Sequence, residues 1–246
     1  MKLEGAVSLV TGGSKGLGLA IAHNLQAQGG RVVIADIDTA ALNALPDIFD
    51  RRILDVTRPD DAKSAAQSLV EAYGRIDVLV NNAGVIYSEP MVNLMNPVGM
   101  MHGYDRFRQN LLVNLDSVFI MTSAVVEQMV LRRTKGVVIN ISSISARGNE
   151  GQTAYSAAKA GVNAMTVTWA KELGRFGIRC NAVAPGFVDT SSTRTALNEA
   201  IIKHIEAETP LRRLGRAEEI AQAVAAAISN DFLNGAILDV NGGVTI

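Results

Sequence analysis

Cysteine is nearly absent. Cys180 is the single one, so no disulfide can form within the chain. Its setting in the strand-like run IRCNAVA is that of an inert core thiol in a reducing, cytoplasmic environment. Histidine is almost as scarce: three residues lie scattered with no ligand spacing between them, and no metal site is expected. Neither sign of charge is in excess, with 23 Lys and Arg against 24 Asp and Glu. Without a basic stripe or an arginine cluster on a recognition helix, no nucleic-acid partner is expected. No apolar run approaches the ~18 residues of a membrane span. The chain enters its first strand so early (LEGAVSLVTGG) that a signal peptide finds no room. No repeat, low-complexity tract or linker interrupts it, so residues 1–246 read as one domain.

What is present is an alternation. Residues 5–11 form an apolar strand, followed by Gly12, Gly13, Gly16 and Gly18. A helical pattern over 17–28 stops at Gly29 and Gly30, and a strand over 31–35 ends at Asp36. This order of strand, glycine loop, helix, strand and acid is what a dinucleotide site requires. The glycines let the backbone approach a pyrophosphate, the helix N-terminus stabilises its charge, and the acid receives a ribose diol. Helices are expected over 39–45, 59–73, 104–132, 153–174 and 218–229, and further strands over 52–54, 78–80, 137–143, 178–184 and 236–240. Strands alternating with helices mean an α/β fold, a doubly wound parallel sheet covered on both faces. Ligands bind such sheets at the carboxyl ends of the strands. The glycine loop, Asp36, Asp55, Asn82, Ser142 and Pro185 all fall there.

The stretch VVINISSISARGNEGQTAYSAAKAG carries the chemistry. Tyr155 and Lys159 stand four residues apart, on one face of a helix. A phenol titrates near pH ~10, and a neighbouring ammonium favours phenolate, which moves that value toward working pH. Such a tyrosine can exchange a proton with an alcohol or carbonyl oxygen. A strand-end serine could hold that oxygen by a hydrogen bond.

Thr11-Gly12-x-x-x-Gly16-x-Gly18, Asp55-Val56, Asn81-Asn82-Ala83-Gly84, Asn114, Ser142, Tyr155-x-x-x-Lys159, Pro185-Gly186-x-x-x-Thr190 and Asn241-Gly242-Gly243 occur in this order. With them the chain resembles the short-chain dehydrogenase/reductase family over essentially its whole length. The resemblance implies a single-domain Rossmann fold with Tyr155 as general acid/base and Ser142 on the substrate oxygen. Ser142 is preferred to Ser143 because the family's serine precedes the tyrosine by that interval. Lys159 would bind the nicotinamide ribose and lower the tyrosine pKa, while Asn114 would hold a water in a proton relay. A cofactor seat is implied at Gly12, Ser14, Lys15, Gly16, Leu17 and Gly18 on the loop, and at Asp36 and Ile37 after the second strand. Asp55, Val56, Asn82, Ala83 and Gly84 would continue it, joined by Tyr155 and Lys159. Pro185, Gly186, Val188 and Thr190 would complete it by fixing the carboxamide.

Two signals bear on cofactor choice. Asp36 favours NAD, because it would accept bonds from a bare ribose and repel a 2′-phosphate. Lys15 pulls toward NADP, but a flexible lysine can swing into solvent, so NAD is expected. Two segments are expected to roof the crevice: residues 85–103, which hold Met91, Met95, Met100 and Met101, and a lid over 187–214. Thioethers adapt to apolar ligands, so the expected substrate is a small apolar ketone or secondary alcohol, or an acyl thioester. His102 is expected to be an exposed loop residue. Alternatives are a 3-hydroxyacyl-CoA dehydrogenase, a 3-oxoacyl-carrier-protein reductase, and a dinucleotide sensor without turnover. The last is disfavoured because both Tyr155 and Lys159 are present. The resemblance also implies a homotetramer paired through the helices over 104–132 and 153–174, with no membrane partner.

Overall fold

The strand-like runs pair into one seven-stranded, all-parallel sheet in the computed structural model, which describes residues 1–97 and 99–246. Along the chain the strands are β1 (Val7–Thr11), β2 (Arg31–Asp36), β3 (Asp50–Ile53), β4 (Val78–Asn81), β5 (Gly136–Ile141) and β6 (Ile178–Pro185). A two-residue pair, β7 (Val188–Asp189) with β8 (Gly215–Arg216), stands apart, and β9 (Ile237–Val240) closes the main sheet. Its order is β3-β2-β1-β4-β5-β6-β9. The chain runs outward in one direction from β1 and in the other from β4. These two neighbours pair through Ser8–Val78, Leu9–Leu79 and Val10–Val80. Their carboxyl ends form the switch point where such sheets open a crevice.

Both faces of the sheet are covered, which is why its strands read as continuous aliphatic runs. Side chains alternate across the pleat. Val10, Ile34, Val80 and Ile139 face α1 (Gly16–Ala27) and α9 (Ala217–Ser229), meeting Ile21, Leu25, Ile220 and Val224. Their neighbours Leu9, Val33, Leu79 and Val138 face α3 (Pro59–Tyr73) and a later helix, meeting Ala66, Leu69, Met121 and Val125. Cys180 is fully buried in this second layer, and burial pushes its thiol up to about 12. It is a packing residue at working pH.

The helix expected over 104–132 is three pieces: α4 (Tyr104–Leu111), a π-helical turn (Leu112–Asp116) and α5 (Ser117–Leu131). The wider turn brings the Asn114 side chain onto the Asn110 carbonyl, 3.1 Å away. Val118, Met121, Val125 and Met129 stay on the core face. Such bulges concentrate at functional sites. The continuous helix Tyr104–Leu131 is long and apolar enough to cross a membrane, contrary to the sequence expectation. Val118, Met121, Val125 and Met129 on it are buried in the core, while Leu112, Phe119 and Leu131 are exposed.

The remaining helices are α2 (Thr39–Asn43), α6 (Thr153–Leu173), α7 (Ser191–Ala196) and α8 (Glu199–Glu208). The last two, with β7, occupy the region expected to be a lid. The extended segment, whose residue 98 lies outside the described residues, folds back on itself. Asn93 N–H reaches Met100 O at 2.6 Å, and His102 N–H reaches Met91 O at 3.0 Å.

Candidate active site

β5 runs out at Ile141, and two serines follow with different fates. Ser142 continues the ladder, its N–H bonded to Val183 O at 2.8 Å. Its hydroxyl donates to Asn163 Oδ1 at 2.6 Å. Ser143 leaves the sheet to cap the 3₁₀ turn Ile144–Arg147, its hydroxyl accepting the Ser145 N–H at 3.1 Å. That same hydroxyl is also the side-chain group that lowers the Tyr155 phenol. Ser143 is thus the serine whose hydroxyl acts on the phenol, while Ser142, the serine expected there, is engaged by Asn163. Ser142 is occupied two helical turns away, and the loop between strand and helix is short enough to bring the later residue to the phenol.

Tyr155 and Lys159 share the inner face of α6 as their spacing requires, 8% and 4% exposed. The Lys159 amine donates to Ile141 O at 2.8 Å and lies 5.6 Å from the centre of the Tyr155 ring. Burial pushes the amine down to about 8. It also raises the phenol above its ordinary value, against a smaller lowering by Ser143. The expected acidification by the ammonium is not what sets the phenol: burial raises it by disfavouring phenolate, and the one opposing influence is Ser143.

Asn114 reaches the same place from the π turn. Its Nδ2 donates to Val85 O at 2.9 Å, and its Oδ1 accepts the Val85 N–H at 3.1 Å. Gly84 makes the approach possible: a Cβ there would lie 2.7 Å from Asn114 Oδ1 and 3.8 Å from Lys159 Nζ.

The glycine loop forms a cradle across the switch point. Asn82 Nδ2 donates to Thr11 O (3.0 Å) and Gly12 O (2.8 Å), while Thr11 Oγ1 accepts the Asn82 and Ala83 N–H groups. A Cβ on Gly12 would lie 2.8 Å from Ala83 Cα. One on Gly18 would overlap Gly12 O and sit 2.5 Å from Asn82 Nδ2. The N-terminus of α1 has no side-chain cap and no acid in its first turn, so its N–H groups are available to an anion. Asp36 faces this loop, with Oδ2 accepting both the N–H and the hydroxyl of Ser14. A backbone stripped of side chains, an uncapped helix end and an acid on the rim fit a nicotinamide dinucleotide.

Not every expected contact residue is free. Asp55 Oδ1 accepts the Thr57 hydroxyl and N–H, which hold its carboxyl below the usual range. Thr190 caps α7 through the Thr193 N–H at 3.2 Å, and Thr193 in turn bonds Val188 O. Gly186 N–H bonds Val240 O at 3.0 Å, tying Pro185-Gly186 to the last strand. Leu17 and Val56 are half-buried and Ile37 is exposed beside the crevice. A separate cavity of about 150 Å³ is lined by residues such as Phe187, Leu211, Ile220 and Val240 and by none of the expected site residues.

Three residues had no signal in the sequence. Asn163 differs little from any helix asparagine, and Asp38, which pairs with Lys15 at 2.6 Å, resembles any helix cap. His102 has a side chain only 5% exposed, with Nδ1 3.0 Å from Glu89 O, against the expectation of an exposed loop residue. It packs edge-on to Tyr87 and Phe107. The four loop methionines are exposed, Met95 by 90%. Among the described residues no group of three His, Cys, Asp or Glu could hold a metal ion.

Comparison with known proteins agrees with this geometry. The model of the family described as enoyl-(acyl carrier protein) reductase matches residues 12–245. A 3-oxoacyl-[acyl-carrier-protein] reductase of Thermotoga maritima is 38% identical over the whole of both chains. A sorbitol-6-phosphate 2-dehydrogenase of Klebsiella pneumoniae is 33% identical, covering 100% of this chain and 98% of its own. A (3R)-3-hydroxyacyl-CoA dehydrogenase of Canis lupus familiaris is 34% identical over 99% and 98%. The crystal structure of gox2181 superposes with a TM-score of 0.89 at 32% identity, covering 98% of this chain and 97% of that one. The chain belongs to the short-chain dehydrogenase/reductase family.

Proposed function

We propose that the protein is an NAD-dependent oxidoreductase that interconverts a secondary alcohol and a ketone. The observation that carries this reading is the convergence of Tyr155, Lys159 and Ser143 beside the glycine cradle. When bound, the nicotinamide cofactor supplies or accepts the hydride. The chain handles the proton and the positions. Ser143 holds the substrate oxygen against Tyr155 Oη, which donates a proton to the developing alkoxide in reduction and removes one from the alcohol in oxidation. Lys159, buried yet largely protonated at neutral pH, fixes the strand end through Ile141 O and places positive charge near the phenol. Asn114 sits next to Lys159 across Gly84, where a proton could be passed outward. Ser142 serves the framework through Asn163.

NAD is favoured over NADP by Asp36, which receives Ser14 on the rim of the cradle and would repel a ribose phosphate. The remaining seat is formed by Gly12, Gly16, Gly18, Ala83 and Gly84, with Pro185, Gly186, Val188 and Thr190 on the carboxamide side. The whole of residues 1–246 serves as one cofactor-binding and catalytic domain in the cytoplasm. A homotetramer is supported by the exposed Leu112 and Phe119 near α5, and by Ala157, Ala160, Ala164 and Val167 on α6. The substrate class is apolar. A second reading, an acyl thioester substrate, is favoured by the exposed Met91, Leu94, Met95 and Met100 and by the names of two relatives.

The test is a panel of ketones, alcohols and acyl thioesters assayed with both cofactors. The reading requires turnover with NAD or NADH at a higher kcat/KM than with the phosphorylated cofactor. Turnover favouring NADPH would overturn the cofactor assignment, and no turnover with any carbonyl or alcohol would overturn the reaction.

A further inference from the structure

Four residues close a ring between the glycine loop and the turn after β2. Ser14 donates to Asp36 Oδ2 through its N–H at 3.1 Å and its hydroxyl at 2.6 Å. Asp36 Oδ1 accepts the Asp38 N–H at 3.0 Å. Asp38 returns to the loop, its Oδ2 receiving Lys15 Nζ at 2.6 Å. Its Oδ1 accepts the Ala41 N–H at 2.9 Å, which caps α2. We propose that Asp38 is a second specificity-determining residue, which withholds Lys15 from any phosphate on the adenosine ribose. This rests on the NAD reading and deepens it.

Lys15 is the one basic side chain between Gly12 and Gly18, and two-thirds of it is exposed. Left alone, it could swing toward an anion beside Asp36. Asp38 prevents this in two ways. It gives the ammonium a charged partner whose orientation is fixed by the helix cap, so the partner does not drift away. It also makes the local set two carboxylates against one ammonium, which a phosphate would enter at a Coulombic cost. A bare ribose brings no charge, and its hydroxyls still find Asp36. Affinity for the unphosphorylated dinucleotide is then indifferent to Asp38.

Asp38→Asn separates the roles, because asparagine caps a helix as well as aspartate does while losing the charge. The measurement is the dissociation constant of NADPH and of NADH for the full chain at low salt, read by nicotinamide fluorescence without turnover. In Asp38→Asn the NADPH constant should fall about tenfold and the NADH constant stay within about twofold. The gain should vanish in the Lys15→Ala/Asp38→Asn double variant and shrink at high salt. An unchanged ratio in Asp38→Asn overturns the proposal, as does a gain that survives the loss of Lys15. A wild-type protein that binds NADPH more tightly than NADH instead overturns the NAD reading, whatever the variants do.

Discussion

Ser142 gives its hydroxyl proton to Asn163 Oδ1 at 2.6 Å, and so the neighbouring Ser143, not Ser142, meets the phenol of Tyr155. The two serines differ by one step along the chain, and at the end of a strand one step turns a side chain to the other face. Ser143→Ala is expected to lower kcat/KM about 10²-fold, as the loss of one oriented donor does. Ser142→Ala should lower it by much less and cost about 1 kcal/mol of stability, one buried hydrogen bond. Steady-state rates and denaturant melts of the two variants decide this; the reverse ranking would restore Ser142.

Tyr155 is pushed up by burial and brought partly back by Ser143. Alcohol oxidation needs the phenolate, so its kcat/KM should climb with pH through the alkaline range. Ketone reduction needs the phenol, so it should hold at neutral pH and decline where oxidation rises. In Ser143→Ala the lowering contribution is gone, and both limbs should move to higher pH. A profile of both directions from pH 6 to about 10.5 reads this. Tyr155→Phe should remove nearly all turnover, on the order of 10³-fold or more, while the cofactor dissociation constant stays within a few fold.

Lys159 is held at about 8 by burial, below its ordinary 10.5. Between those values the unfolded chain binds more protons than the folded one, so this group makes stability rise with pH across that window. Below pH 8 the full desolvation cost of the ammonium stands. Lys159→Met should therefore be inactive yet more stable at pH 7, by about 1–3 kcal/mol. The advantage should shrink as pH rises from 8 toward 10.5. Urea unfolding at pH 7 and pH 9.5 measures it; a variant less stable than the parent at pH 7 would show that the Ile141 hydrogen bond outweighs the burial cost.

The sheet was legible because its signals are local and repeated. Aliphatic runs at β1, β4, β5 and β6, each followed by glycine, asparagine or serine, fix both the strands and the side of the sheet where ligands gather. The Tyr155–Lys159 pair was legible because helix periodicity alone puts the two on one face. What could not be read depends on backbone detail that no residue type announces. The π turn at Leu112–Asp116 looks like any apolar helix, and it decides where Asn114 points. The fate of Ser142 was set by Asn163, 21 residues away. His102 lies in a loop of exposed methionines, yet Glu89, Tyr87 and Phe107 close around it. The pKa of Tyr155 went wrong for a related reason. Sequence shows a neighbouring charge, but the burial that raises the phenol, and the Ser143 hydroxyl that opposes it, belong to the packed fold.

Gly16 and Gly18 look alike in the sequence, two loop glycines a residue apart, but they are glycines for different reasons. Gly16 has φ +52° and nothing within 4 Å of where a Cβ would stand. Alanine there should cost about 1 kcal/mol of backbone strain without pressing on any protein atom. At Gly18 the obstacle is backbone, since a Cβ would overlap Gly12 O and press on Asn82 Nδ2 at 2.5 Å. No flexible side-chain end can yield there. Gly12 O is the atom that Asn82 uses to hold the loop, so Gly18→Ala must displace the loop or break that bond. The expected result is a stable Gly16→Ala protein whose cofactor affinity stays within a few fold, and a Gly18→Ala protein that loses at least ~10-fold in affinity. Titration with NADH, alongside a thermal melt of each variant, separates the two. Equal affinities would mean that the loop is softer than its packing against Asn82 and Ala83 implies.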